Sequence, residues 1–207
     1  MPPKDVIVWD VEVMRSPDVT PGKWNNPFGM GFGTAVAYSY NKDQYYFFGP
    51  EDLKAVCEFL NGNIVVSFNG IKFDNRVVLG NEYREQEREY LWRDVDLLLL
   101  AIKYKFGLES VAAAEAKMGE RSIHDGSINL DGIAEGTLGY HKSGSGAHAP
   151  ILIQQGKWAE VFAYNLNDVR LTRFIYEQAD NQGFIIDRKK NKIEIPREEL
   201  CQLTKQS

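Results

Sequence analysis

Apolar residues along this chain follow two rhythms. Val6 to Val13, VIVWDVEV, is a β-branched run interrupted only by Asp10 and Glu12, the pattern of a mostly buried strand with its polar exceptions at one end. Ser16 to Gly33 is rich in Pro, Gly and Asn and reads as a loop. Thr34 to Tyr40 and Gln44 to Phe48 follow as strands around an Asn41-Lys42-Asp43 turn, so three strands in succession form a meander. Leu53, Val56, Cys57 and Leu60 then recur at helical spacing between Pro50 and Gly62, and Ile64 to Phe68 is a second buried strand. Asn69 to Asp74 leads into a helix through Val78, and Glu82 to Glu89 is a charged, solvated stretch. Val95 to Leu100 starts as a strand and turns helical through Phe106, a junction that period alone does not locate; Leu108 to Met118 is alanine-rich and helical. Gly136 to Pro150, containing Ser143-Gly144-Ser145-Gly146, reads as a flexible patch suited to a mobile loop beside a site. Lys157 to Ala179 is a long helix ended near Gly183, and Phe184 to Ile195 is a hairpin turning at Lys189 to Asn191.

Strands in a run, then strand and helix in alternation, predict an α/β fold with a mixed sheet flanked by helices, in one domain over 1–207 that ends in the hairpin. Composition agrees: 43% hydrophobic and 26% charged residues over 207 positions suit an ordinary globular core. The net charge of -5 excludes a basic protein that holds nucleic acid by charge alone. Cys57 and Cys201, without a second pair, make neither a disulfide framework nor a zinc site. The start has no basic region followed by a long apolar run, and the apolar stretch from Leu97 to Ile102 is too short to span a bilayer. A cytoplasmic protein with no membrane association is the expectation.

The acids in the first strand then demand an account. Asp10 and Glu12 lie two apart, so both side chains point to one face of a segment whose other members are apolar. Adjacent carboxylates there either take up protons or collect a cation, and oxygen donors of this kind suit Mg2+ or Mn2+. Asp-x-Glu alone has poor specificity. Asp74, after Asn69 and Phe73 in FNGIKFD, fits an N-cap as well as a ligand. Tyr164 and Asp168 are four apart on one face of the long helix. Tyr90-x-x-x-Asp94 has the same form as Tyr164-x-x-x-Asp168, but only the latter sits in a sustained helical pattern; Asp94 and Asp96 read as strand-end or helix-start residues.

In order, Asp10-x-Glu12 in the first strand, Asn69-x-x-x-Phe73-Asp74 after a later strand, and Tyr164-x-x-x-Asp168 on the last long helix resemble the three motifs of the DEDD superfamily of 3'-5' exonucleases, with the tyrosine of its DEDDy branch. The resemblance spans nearly the whole chain. It implies an RNase H-like fold, and it implies hydrolysis of phosphodiester bonds from single-stranded 3' ends of DNA or RNA. Asp10, Glu12, Asp74 and Asp168 would ligate two divalent ions, Mg2+ or Mn2+, with Asp10 bridging, Glu12 and Asp168 on the first, and Asp74 on the second directly or through water. Two such ions about 3.5 to 4 Å apart stabilise both the attacking and the leaving oxygen of an in-line displacement. Tyr164 would orient a water, since a phenol with a pKa of about 10 is a poor base. Asn69 would contact the scissile nucleotide, while Trp9 and Phe73 either meet the terminal base or pack behind the site. Val13 departs from the family, which often has Thr or Ser directly after the Glu. Arg170, Arg173, His141, Lys142 and His148 are candidates for a modest basic rim, and Gly144 to Gly146 for a gate over the substrate channel. The basic turn residues Arg188, Lys189, Lys190 and Lys192 either touch a phosphate backbone or are solvated. A structure-selective endonuclease on the same fold and a non-catalytic nucleic-acid-binding module remain as alternative functions. Any replication or repair partner is unidentified.

Overall fold

A computed structural model describes residues 5–87, 89–120, 123, 125–140 and 148–200. Its centre is a five-stranded sheet in the order β3-β2-β1-β4-β5, where β1 is Val6–Val13, β2 Phe32–Ser39, β3 Gln44–Phe48, β4 Ile64–Ser67 and β5 Arg93–Asp96. β1 runs antiparallel to β2 and parallel to β4, β3 antiparallel to β2, and β5 parallel to β4. This mixed sheet, flanked by helices, is consistent with the RNase H-like arrangement that the resemblance implies.

Alternation along β1 divides the core into two layers. Ile7, Trp9, Val11 and Val13 pack on one face against α2 (Leu53–Leu60) and α3 (Asp74–Leu79). Val6 and Val8 pack on the other, against α4 (Leu97–Lys105), α5 (Val111–Lys117), α6 (Leu130–Leu138) and α8 (Trp158–Gln182). Asp10 and Glu12 continue this second face, so the period of two aims them at α8. β1 is the middle strand, paired with β2 over Ile7 to Val13 and with β4 over Val6 to Val8.

Several boundaries differ from the sequence reading. β2 begins at Phe32 because it pairs with Val13 across a register shift between Glu12 and Val13. The segment before it carries turns at Pro17–Val19 and Lys23–Asn25 and the short helix α1 (Pro27–Met30). β5 ends at Asp96, whose carboxylate accepts from the amides of Leu98 and Leu99 and so fixes the strand-to-helix junction. The expected flexible patch overlaps the end of α6 and the start of α7 (Ala149–Gln154), while Ser143 to Gly146, His141 and Lys142 lie outside the described residues.

α6 escapes propensity reasoning because it contains Gly132 and Gly136. Both are dictated by packing: a Cβ on Gly132 would lie 2.4 Å from the carbonyl oxygen of Gly126, and one on Gly136 would lie 2.3 Å from those of Ile186 and Asp187. The second contact is with the hairpin of β6 (Phe184–Ile186) and β7 (Lys192–Glu194). That hairpin is further clamped by Arg188, whose Nε donates to Glu135 at 2.6 Å and whose Nη2 donates to Asp131, and by the Lys105 to Asp187 ion pair at 2.7 Å. Its basic residues Arg188 and Lys189 are therefore paired with acids of the α6 region rather than presented to a phosphate backbone.

In an exposed helix, Gly to Ala stabilises by about 1 kcal/mol. Gly136→Ala should do the reverse, destabilising by about 1 to 3 kcal/mol, because the new methyl meets two backbone oxygens that cannot step aside. Urea unfolding measures this directly; an unchanged or raised midpoint would mean that the hairpin is not seated on α6.

Candidate metal centre

The last long helix supplies the other half of the site. In α8, Val161, Asn165, Asp168, Thr172, Ile175 and Ala179 are buried at intervals of three and four, one stripe laid against the sheet. Three members of that stripe, Asn165, Asp168 and Thr172, are polar, and the first two fall opposite the polar end of β1. Asp10, Glu12 and Asp168 each place a carboxylate oxygen within 4.8 Å of the others. Glu12 is 6% and Asp168 4% exposed, with Asp10 half-buried.

Like charges so placed are costly when left without a counter-charge. All the donors are hard oxygens, close enough to share one ligand, so the donor set fits a divalent cation such as Mg2+ or Mn2+. Asn165 adds a neutral contact: its Nδ2 donates to Asp10 Oδ2 at 2.6 Å, and its own buried Oδ1 has no hydrogen-bond partner. The residue stands inside AYNLNDV, and its weak sequence signal is a polar residue at a position where the helical stripe calls for an apolar one. Tyr164 is half-buried one turn before Asp168, with its hydroxyl enclosed.

Asp74 stands beside the three-acid cluster rather than within it. Its Oδ1 accepts from the backbone amide of Val11 at 2.9 Å, which ties the start of α3 to β1 between the two acids of the first motif. It also feels the charge of Asp168. The preceding loop is shaped by Asp96, whose two oxygens accept from the amides of Asn69 at 3.0 Å and Ile71 at 3.1 Å. Asn69 adopts φ 75°, a left-handed conformation that asparagine tolerates, and its Oδ1 is buried without a partner. A Cβ at Gly70 would lie 2.2 Å from Ser67 Oγ, so the loop closes tightly over the end of β4.

Trp9 requires a correction. It is 1% exposed and packs edge-on against Trp92, 6.2 Å between centroids, on the sheet face opposite Asp10. One residue along a strand reverses the side-chain direction, so Trp9 is core and cannot meet a substrate base. The rival pair Tyr90 and Asp94 is separated by the same logic: Asp94 is register partner of Val65, a member of the layer opposite the acid cluster, and its Oδ1 accepts from Asn75 Nδ2 and Trp92 Nε1. Val13 points into that opposite layer too, and the hydroxyl in register with Glu12 is that of Thr34 across the sheet. Arg173 leaves the proposed basic rim: it stacks 3.8 Å over the Tyr38 ring and pairs with Glu177. Arg170 and His148 are exposed.

No known sequence family matches this chain, and no curated protein does. Among solved structures, it is similar to the family B DNA polymerase from the hyperthermophilic archaeon Pyrobaculum calidifontis, with a TM-score of 0.57 and 15% identity over 86% of this chain. The match spans 25% of the polymerase chain. At that identity the likeness is one of fold. No helix among the described residues is long and apolar enough to cross a membrane.

Burial, with added repulsion from Asp96 and Asp168, pushes the Asp74 carboxyl up to about 7 despite the Val11 amide that favours its ionised form. Burial likewise raises Asp96 to about 6, against the amides of Asn69, Ile71 and Leu99. Unfolded, each would titrate at about 3.9. Both folded values lie above the unfolded one, so the metal-free fold binds more protons, and this stability is complete below about pH 4 and lost as pH rises through 6 to 7. In EDTA, Asp74→Asn should remove part of that slope and melt several degrees above wild type at pH 8. Thermal melts from pH 4 to 8 check it; a variant that melts lower at pH 8 with an unaltered slope would contradict the protonated, buried Asp74.

Proposed function

We propose that this protein is a metal-dependent 3'-5' exonuclease that hydrolyses phosphodiester bonds at single-stranded ends of DNA or RNA. The observation that carries the reading is the convergence of Asp10, Glu12 and Asp168, from a central strand and a long helix, within 4.8 Å of one another. The fold shared with part of a DNA polymerase supports a nucleic acid as substrate. The ordered DEDDy motifs support the exonuclease direction.

In this reading Asp10, Glu12, Asp168 and Asp74 hold two divalent ions, Mg2+ or Mn2+, four carboxylates balancing two dications. When bound, the ions supply charge stabilisation to the attacking and leaving oxygens. The chain itself does the positioning. Asn165 holds Asp10 by its 2.6 Å hydrogen bond, and the Val11 amide holds Asp74. The hydroxyl of Tyr164, on the same helix face as Asp168, orients the attacking water. Asn69, with its unpartnered buried Oδ1, and the half-buried Phe73 flank the terminal nucleotide.

A 5'-labelled single-stranded oligonucleotide incubated with Mn2+ should shorten progressively from its 3' end, and EDTA, Asp10→Ala or Asp168→Ala should abolish this while circular dichroism shows the fold intact. Equal cleavage of a strand with a blocked 3' end would make the activity endonucleolytic, and binding without any cleavage would make the protein a non-catalytic module. Asn165→Leu should weaken Mn2+ affinity by about 10- to 100-fold, as loss of a group orienting a ligand does. Calorimetric titration reads that change, and undiminished affinity would remove Asn165 from the positioning role.

A further inference from the structure

The segment between β1 and β2 has a construction that the acid cluster does not explain. It is rigidly held: Arg15 donates twice to the Gly29 carbonyl, at 3.1 and 2.7 Å, and Arg76 Nη2 donates to the Asn25 carbonyl at 2.8 Å. Asn26 donates to the Pro21 carbonyl at 2.8 Å and accepts from the Gly29 amide at 2.9 Å and from Asn81 Nδ2 at 2.6 Å. This framework nevertheless turns large apolar side chains outward, with Trp24 67% and Phe28 53% exposed. An indole is ordinarily among the most buried groups of a fold. Two successive left-handed residues, Gly22 at φ 84° and Lys23 at φ 49°, set the backbone immediately before Trp24. A non-glycine residue in that region is strained, and strain of this kind clusters at binding sites.

The place to which Trp24 is delivered is specific. Its ring lies 6.2 Å from that of Phe73, tilted by 51°, and Phe73 immediately precedes Asp74. Phe73 packs on the same core layer as Trp9, and its neighbour Asp74 reaches from there to the Val11 amide beside the acids. The segment 14–31 also carries Arg15 and Lys23 against a single acid, Asp18, a local excess of positive charge in a chain of net charge -5. An exposed aromatic face, an adjoining aromatic at the site and a local positive bias together match one ligand chemistry, stacked bases on a phosphate backbone.

We propose that Trp24 is a base-stacking residue that receives the single strand beside Phe73 and guides it to the acid cluster. The inference rests on the nucleic-acid part of the functional reading above and deepens it. Because stacking is indifferent to base identity and to the 2'-hydroxyl, Trp24 accepts DNA and RNA alike.

The test is fluorescence anisotropy with the full chain carrying Asp168→Asn, which leaves the strand uncut, and 5'-labelled single-stranded DNA, RNA and an abasic strand of equal length. Adding Trp24→Ala should weaken binding of both base-bearing strands on the order of tenfold, Trp24→Phe should restore most of it, and binding of the abasic strand should not change. Equal affinity of Trp24→Ala for the base-bearing strands overturns the proposal, as does an equal loss on the abasic strand. A change in oligomeric state by light scattering with no change in strand binding overturns it too, assigning the patch to a second copy of the chain. Absence of strand binding by the wild type overturns both this inference and the nuclease reading. Trp24-dependent binding by a protein that cleaves nothing upholds the inference and removes only the exonuclease.

Discussion

Mutual repulsion among carboxylates in an apolar seam is the constraint around which this molecule is organised. Asp10, Glu12 and Asp168 converge where β1 and α8 would otherwise bury hydrocarbon, with Val8 and Val36 behind them on the strand side and Val169 and Thr172 on the helix side. Such an arrangement survives only if the backbone that carries it is over-determined. β1 is: it pairs with β2 from Ile7 to Val13, acids included, and with β4 over Val6 to Val8, and beyond that the Asp74 carboxylate takes the Val11 amide. α8 is likewise fixed over its 25 residues by an apolar stripe that continues well past the site.

The remaining acids act on backbone amides and so differ in kind. Asp96 holds the Asn69 to Ile71 amides while capping α4, and Asp74 holds Val11. The loop between β4 and α3 is therefore suspended between two buried carboxylates, one on each side. Asn69 in a left-handed conformation and Gly70 without a side chain are the consequences of closing that loop in so little space. Its geometry makes the position of Asp74 depend on Asp96, although Asp96 is not in the acid cluster.

How much of this is legible in the sequence depends on whether the signal is local. The alternation in VIVWDVEV places Asp10 and Glu12 on one face, and the same alternation places Trp9 on the other, which decides between its two readings in favour of core packing. The choice of Tyr164 and Asp168 over Tyr90 and Asp94 follows from sustained helical period, a local property; in the fold Asp168 lies with Asp10 and Glu12, and Asp94 belongs to the opposite layer. α6 was hidden because Gly132 and Gly136 answer to the approach of distant backbone, which no window of sequence contains. Arg173 and Arg188 were ambiguous for a similar reason: their partners, Tyr38 and Glu177 for one and Asp131 and Glu135 for the other, are determined by tertiary packing. Asn165 shows in the sequence only as a polar residue in an apolar helical stripe, since its hydrogen bond to Asp10, 155 residues away, is a tertiary contact.

This pairing of cations bears on how an acidic protein can engage a polyanion. Lys103 is paired with Glu199, Lys105 with Asp187, Arg84 with Glu115, Arg173 with Glu177 and Arg188 with two acids. These charges are already satisfied within the fold, and directing them to phosphates would leave their carboxylates exposed to the same strand. Those paired side chains are therefore poor sources of counterion release. In the proposed function, affinity draws also on divalent ions among the carboxylates, which reverse the local field, and on aromatic faces that accept bases. The exposed Trp24 and the buried acid cluster are then complementary parts of one solution, the first holding the uncharged portion of the strand and the second the charged bond at its end.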